Sequence, residues 1–372
     1  MAMPLEKRNK VMDMPIYLQF IDGDVGGGYR WYVIEEKEAA AAAAADVLGE
    51  ERWVLKSDQD RVRVLNLPKL EDGLIKYTNL AVAESRLFLV GGHVESRGDD
   101  GIRIDKNGIL YIDLQQPNPK SWERSKIPVY TNVRGAAVSD NGDEIYAVAD
   151  GMVLRFNCRL VDNPKLVLPL PGDLPWYLLA AAGSGSKMLL YSPPRRGISG
   201  NFVLCDLKSC SWEMIHSFSL DTDPFADRFR WWTTGVLVED SFLIVFGRCL
   251  PWTREYRPAL YVYDIRRMEW LPKPVQGLAN NGIVLPDLNG LWPFSYSALM
   301  QVRRDELKLA LVWSIPNNDD AVQTQVHWSK FILRIDKNDD SQDIPPTFHA
   351  QGLSSGTCYG GNTYLIRSSV GG

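Results

Sequence analysis

Two short segments concentrate side chains suited to recognising anions. Residues 192–200, SPPRRGISG, hold Arg195 and Arg196 with no acid. Residues 248–258, RCLPWTREYRP, hold Arg248, Arg254 and Arg257 against Glu255 alone, with Trp252 and Tyr256 interleaved. Guanidinium forks match the oxygens of carboxylates and phosphates. Arginine beside Trp and Tyr is the composition of an interface hot spot. Residues 91–107 differ, carrying Arg97, Arg103 and Lys106 against Glu95, Asp99, Asp100 and Asp105. Residues 314–326 carry Asp319 and Asp320 and no base. The candidate binding residues are therefore Arg195, Arg196, Arg248, Trp252, Arg254, Tyr256 and Arg257. The bland reading of the same residues is a set of solvated surface arginines.

Catalytic chemistry finds little footing. The four histidines, His93, His216, His327 and His349, are never spaced to share one face of a single element. Cys205 and Cys210 lack zinc-knuckle spacing, and no second pair accompanies them. The glycine-rich stretch GDVGGGYRW (23–31) runs into strand-like YRWYVIEE, not into a helix N-terminus that could cradle phosphate, so it reads as a hairpin turn. No Ser–His–Asp arrangement and no CxxC pair occurs. The expectation is no catalytic residue, no metal ligand and no cofactor.

Charge and cysteine usage bound the setting. Net charge is −5, from 41 basic and 46 acidic residues, so no global basic field draws the chain to nucleic acid or anionic membrane. The N-terminal residues MAMPLEKRNK bring charges early with no long apolar run after them, unlike a secretory signal. No stretch approaches the roughly 18 apolar residues that span a bilayer. Five cysteines at irregular spacing suit free thiols in a reducing compartment, the cytoplasm or nucleus. A monomer is expected.

The elements that would position these residues are strands. Helical periodicity is nearly absent, apart from the alanine run 39–45 inside a low-complexity insertion at 35–51. Elsewhere short runs rich in Val, Ile, Leu, Tyr and Phe alternate with Gly, Pro, Asn and Asp clusters. One pattern recurs: an apolar hairpin, a variable loop, a third strand ending in Asp, then a Trp-bearing fourth strand. It is clearest at 79–128, 178–215 and 233–274, with Asp113, Asp206 and Asp264 followed by Trp122, Trp212 and Trp270. Weaker copies begin near 136 and 297. The aspartates are expected to cap tight turns and the tryptophans to fill gaps between units.

Repeated four-stranded meanders match propeller blades, each burying its faces only against its neighbours. The fold class expected is all-β, a six-bladed β-propeller of four-stranded antiparallel blades. Residues 1–372 would form one domain, with 1–14 a flexible N-terminal segment. The ring would be closed by a composite blade: a C-terminal hairpin at 352–369 beside N-terminal strands at 29–36, 52–55 and 61–68. If residues 16–21 opened a separate blade, the count would be seven.

LFLVGG (87–92) followed by YID and Trp122 resembles the kelch repeat, as does FLIVFGR (242–248) followed by YVYD and Trp270. The resemblance is to divergent kelch-like propellers of the galactose-oxidase type, among them uncharacterised plant proteins. The arginine-rich segments and the propeller reading together predict a non-enzymatic scaffold binding a protein partner, through an acidic or phosphorylated segment, or a small anionic ligand on its loop-rich face. Because propellers host enzymes as well as binding modules, the alternative is a propeller enzyme or specifier-type protein with a central axial site. The copper set of His, Tyr and Cys and the iron set of Glu, Asp and His known in kelch-like proteins have no local counterpart here.

Overall fold

A computed structural model describes residues 14–22, 29–36, 60–68, 70, 75–76, 79–91, 93–98, 101–106, 108–116, 119–125, 133–139, 142–149, 151–159, 165–172, 174–182, 186–193, 199–218, 235–249, 256–278, 297–303, 307–316, 324–337, 345–359 and 363–370. Among these residues there is no helix, as the absence of a 3.6-residue apolar period demands. The fold is all-β with a propeller-like arrangement of antiparallel meanders.

One four-stranded sheet joins sequence-distant strands, in the order β27 (Thr363–Val370), β1 (Ile16–Asp22), β2 (Tyr29–Glu36), β3 (Asp60–Leu65). The next contains β5 (Asn79–Ala83), β6 (Arg86–Val90), β9 (Ile109–Asp113) and β10 (Glu123–Arg124). A third runs through β11 (Val133–Val138), β12 (Glu144–Ala149), β13 (Met152–Asn157) and β14 (Lys165–Pro169). An eight-stranded sheet combines two meanders. The first is β15 (Tyr177–Ala182), β16 (Lys187–Ser192), β17 (Gly200–Asp206) and β18 (Ser211–Phe218). The second is β19 (Gly235–Val238), β20 (Phe242–Cys249), β21 (Tyr256–Asp264) and β22 (Glu269–Trp270). Parallel pairing of β15 with β19 welds them. The last meander is β23 (Ser297–Arg303), β24 (Lys308–Pro316), β25 (Thr324–Asp336) and β26 (Thr347–Tyr359). A small sheet of β4 (Ile75–Lys76), β7 (His93–Gly98) and β8 (Gly101–Lys106) is separate from the meanders, so a β7–β8 hairpin stands where the recurring pattern places a variable loop between second and third strands.

The core lies between meanders rather than within them. The cluster around Leu260, Leu311, Trp313 and Phe331 joins β19–β22 to β23–β26. Another around Phe202, Tyr261 and Tyr263 joins β15–β18 to β19–β22. Further clusters join β5–β10 to β11–β14, β11–β14 to β15–β18, the composite sheet to β23–β26, and the composite sheet to β5–β10. Burial on both faces explains why the second strands, RLFLV, EIYAVA and KMLLYS, read as continuous apolar runs.

The turns follow the chemistry expected of them. Asp113 Oδ1 accepts the backbone N–H of Gln115 at 2.9 Å. Asp206 Oδ1 accepts those of Lys208 and Ser209 at 2.9 and 3.1 Å. Asp264 Oδ1 accepts those of Arg266 and Arg267 at 2.9 and 3.0 Å. Four residues after the last two aspartates, Cys210 and Met268 both adopt the left-handed conformation (φ 52° and 56°) that closes the turn. Asn157 does the same work at the end of β13, accepting the N–H of Arg159 at 2.9 Å.

Two expectations need correction, and the condition for a seventh unit is not met. Residues 352–369 are not one hairpin: β26 completes the preceding meander against β25, and β27 alone enters the composite sheet. The composite sheet is therefore one C-terminal strand plus three N-terminal ones. Residues 16–21 open no separate unit, because β1 is hydrogen-bonded between β27 and β2. The segment 52–55 lies outside the described residues. Finally, Trp212 does not fill a gap; it is 40% exposed. Trp122 and Trp270 do pack between strands, Trp122 against Trp31 at 5.7 Å with its indole N–H donated to Pro68 O at 2.9 Å, and Trp270 against Tyr263 at 5.4 Å.

Candidate functional site

In the sequence the expected binding residues flank or fall within strands of the eight-stranded sheet. Arg195, Arg196, Trp252 and Arg254 lie outside the described residues. Arg248 belongs to β20, and Tyr256 and Arg257 to β21; only the backbone of these three is described. The pairing still fixes where the two connections emerge. β15 runs parallel to β19, and β16 and β20 are antiparallel to them. Thus β16 and β20 run the same way, and the segments after Ser192 and Cys249 leave the sheet at one end. Strand pairing reaches into the second arginine-rich segment, since Cys249 pairs with Tyr256.

The same end carries a cation–aromatic pair that the repeat pattern did not single out. Tyr177 opens β15 and pairs with Tyr191, one residue before the end of β16. Arg134, at the start of β11, lays its guanidinium carbon 4.7 Å from the centroid of the Tyr177 ring. Its Nη1 also donates to the Tyr177 hydroxyl. The backbone explains the meeting. A Cβ on Gly135 would stand 2.2 Å from Leu178 Cβ, so only glycine lets β11 approach β15 this closely. Both strands also break register here, β11 between Val133 and Ala136 and β15 between Leu178 and Ala180. Bulges of this kind re-aim side chains. Among the described residues Arg134 has no acidic partner. Asn79, opening β5, donates its side-chain N–H to Val133 O at 3.0 Å and ties the neighbouring first strand to this point.

A third feature lies in the last meander. Trp313, His327 and Thr357 are register partners across β24, β25 and β26. The indole and imidazole stack at 5.3 Å with 11° between planes. Thr357 Oγ1 lies 2.9 Å from His327 Nδ1. Burial holds the imidazole below its ordinary pKa, so the ring is neutral near pH 7. His327 Nε2, Trp313 Nε1 and the Ser329 Oγ two residues along are buried without a hydrogen-bond partner.

The other histidines differ in setting. His349 Nε2 sits 3.3 Å from Asp336 Oδ2, His216 lies on the outer strand β18, and His93 is described only as backbone. Among the described residues no group of three or more His, Cys, Asp or Glu could hold a metal ion. At the opposite end of the sheets, a cavity of about 590 Å³ is lined by Glu239, Leu307, Ile335, Asp336 and Lys337. Its lysine is already paired with Glu239 at 2.8 Å.

No family model matches the chain, and no curated protein matches it. The kelch resemblance thus rests on its motifs alone. Solved structures similar to the chain include TolB from Agrobacterium tumefaciens, at 9% identity and TM-score 0.42, covering 82% of this chain and 94% of that one. A protein described as a 6-phosphogluconolactonase from Bacteroides uniformis shows 12% identity and TM-score 0.39, covering 97% of this chain and 100% of that one. An oligogalacturonate lyase in complex with manganese shows 13% identity and TM-score 0.37, over 66% of this chain. The chain spans 59% of the length of that lyase. The propeller-like arrangement is carried by the sheets themselves.

Proposed function

We propose that the chain is a non-enzymatic binding scaffold. In this reading the four separate meanders and the two welded ones act as six blades of a closed ring. The end bearing the connections at 194–198 and 250–255 takes an acidic or phosphorylated protein segment or a small anionic ligand. Arg195, Arg196, Arg248, Arg254 and Arg257 supply the charge, and Trp252 and Tyr256 the apolar contact. The protein works as a monomer without cofactor or metal. The observation that carries this is the common end at which β16 and β20 release the two nearly acid-free connections. Rigid strands beneath short connections are the usual setting for recognition.

The test is a calorimetric titration with hexaglutamate at low and high salt. Replacing Arg254 and Arg257 by Ala should weaken binding by roughly 2 kcal/mol if they are hot-spot residues. It should leave the melting curve within about 0.5 kcal/mol of wild type, as expected of exposed substitutions. Affinity independent of salt and of both arginines would sink the reading.

A second reading, a propeller enzyme or specifier-type protein with an axial site, draws support from the paired bulges at Arg134 and Tyr177. Stoichiometric iron, copper or zinc in purified protein by mass spectrometry would carry it over the first.

A further inference from the structure

The first strands of successive meanders adjoin one another, and their side chains are mostly small or aliphatic: NLAVA in β5, VRGAAV in β11, YLLAAA in β15, GVLV in β19. Arg134 and Tyr177 break that pattern together, at facing positions, where both strands bulge and where Gly135 permits close approach. Packing alone does not require this. A long cation could have extended into solvent from a regular strand. Here the backbone is deformed on two strands, and the guanidinium is braced by a ring face and a hydroxyl.

Bracing matters because arginine normally loses rotamer freedom when it binds. Holding the fork beforehand lowers that cost. Tyr177 engages only Nη1, and among the described residues no acceptor satisfies the further N–H donors of the planar fork, so the fork keeps donors to offer. Tyr177 is 40% exposed, so the pair stands open to solvent. The turn between β12 and β13 beside it is tight, with Ala149 already paired with Met152, so that turn does not cover the pair.

We propose that Arg134, aimed by the two bulges and braced by Tyr177, binds the oxyanion of a carboxylate or phosphate group at the start of the first strands. This rests on the reading of that end as the recognition face, and it adds a fixed central anchor to the arginines of the two connections. Tyr177 is a positioning residue: its hydroxyl and ring orient the fork, and the anion takes the remaining donors. The shared chemistry is the oxyanion; its source is either a free small anion or an acidic side chain of a protein segment.

The experiment uses the full chain, titrated calorimetrically with inorganic phosphate and, separately, with hexaglutamate. Wild type binds at least one of the two. Arg134→Gln weakens that binding roughly tenfold or more, the scale of a lost charge-assisted contact. Arg134→Lys falls between, because an ammonium lacks the fork. Tyr177→Phe keeps the ring, loses the hydroxyl brace and weakens binding less than Arg134→Gln does. Binding of phosphate alone assigns the free anion; binding of both, in competition, assigns an acidic segment using the same anchor. No binding of either probe by wild type overturns the proposal, as does equal binding by wild type and Arg134→Gln. Should Arg134→Gln melt early, a folded Arg134→Lys that binds as wild type does overturns it equally. The Arg254→Ala/Arg257→Ala protein separates the two readings. If it alone loses affinity, the anchor fails and the connections stand; if Arg134→Gln alone loses affinity, the connections fail and the anchor stands.

Discussion

Ile16 and Val370 are register partners: strands from near opposite ends of the sequence are hydrogen-bonded neighbours in one sheet. The pairing continues to Asp22 and Thr363 and is interrupted by a single bulge between Gln19 and Phe20. Ile16, Leu18 and Phe20 are fully buried, packed with Val312, Val326 and Trp328 of the last meander.

Removal of residues 363–372 should therefore abolish cooperative folding rather than trim a tail. It would strip β1 of one of its two partners and leave an unpaired edge on a sheet packed against the last meander. The check is a thermal melt and size-exclusion profile of the truncated protein. A soluble product with an unchanged cooperative transition would show that β27 is dispensable.

Gly356 lies against the indole of Trp328, its register partner. A Cβ there would stand 2.1 Å from the ring, and Trp328 is fully buried with no room to retreat. Gly356→Ala should destabilise by about 2–3 kcal/mol, the cost of overpacking a closed core. Gly151→Ala offers the contrast, since nothing lies within 4 Å of its would-be Cβ and only its positive φ (76°) is strained. Denaturant melts of the two variants should rank Gly356→Ala as the more damaging.

Burial pushes the thiols of Cys158, Cys205 and Cys358 up to about 12. Cys210, on its turn, is exposed. Of these four, Cys210 alone should react with a thiol reagent near pH 8 in the native state, and all four after denaturation; mass spectrometry of the labelled peptides decides. The raised values also set a sign. Folded thiols keep their protons longer than unfolded ones, so their contribution to stability is whole below about pH 9. It is lost as pH rises toward about 12. Tyr146, also raised to about 12 by burial and then by Glu144, acts in the same direction.

His327 gives the opposite sign. Its pKa is depressed below 6.5 by burial, so the unfolded chain takes up the proton first on acidification. The stability tied to the neutral ring is present above that value and drains away as pH falls through it. His327→Gln should show a shallower loss of melting temperature between about pH 6.5 and 5 than wild type. Parallel curves would mean that the ring is hydrated and titrates freely.

Much of the fold was legible in the residues. The apolar runs, their Gly- and Asp-rich punctuation and the Asp-to-Trp spacing follow from local demands: alternation, turn closure, burial of both faces. Asp206 and Asp264 cap their turns because a carboxylate two residues before free N–H groups has little else to do. The locations of Trp122 and Trp270 were legible for the same reason. That of Trp212 was not, because an outer strand's exposure depends on what its neighbours leave uncovered.

Long-range pairing decided the rest. No local signal tells whether residues 347–359 pair with what precedes or follows them; both edges offer the same backbone groups. The hydrogen-bonding capacity of β25, thirteen residues long, settles it by matching a thirteen-residue β26 and leaving β27 to meet β1. The candidate site divides the same way. Arginines crowded in two short connections stand out in the sequence alone. Arg134 and Tyr177 do not, because each is one polar residue in an apolar strand. What makes them a pair is the close approach of β11 and β15 at Gly135, a contact between segments that only packing brings together.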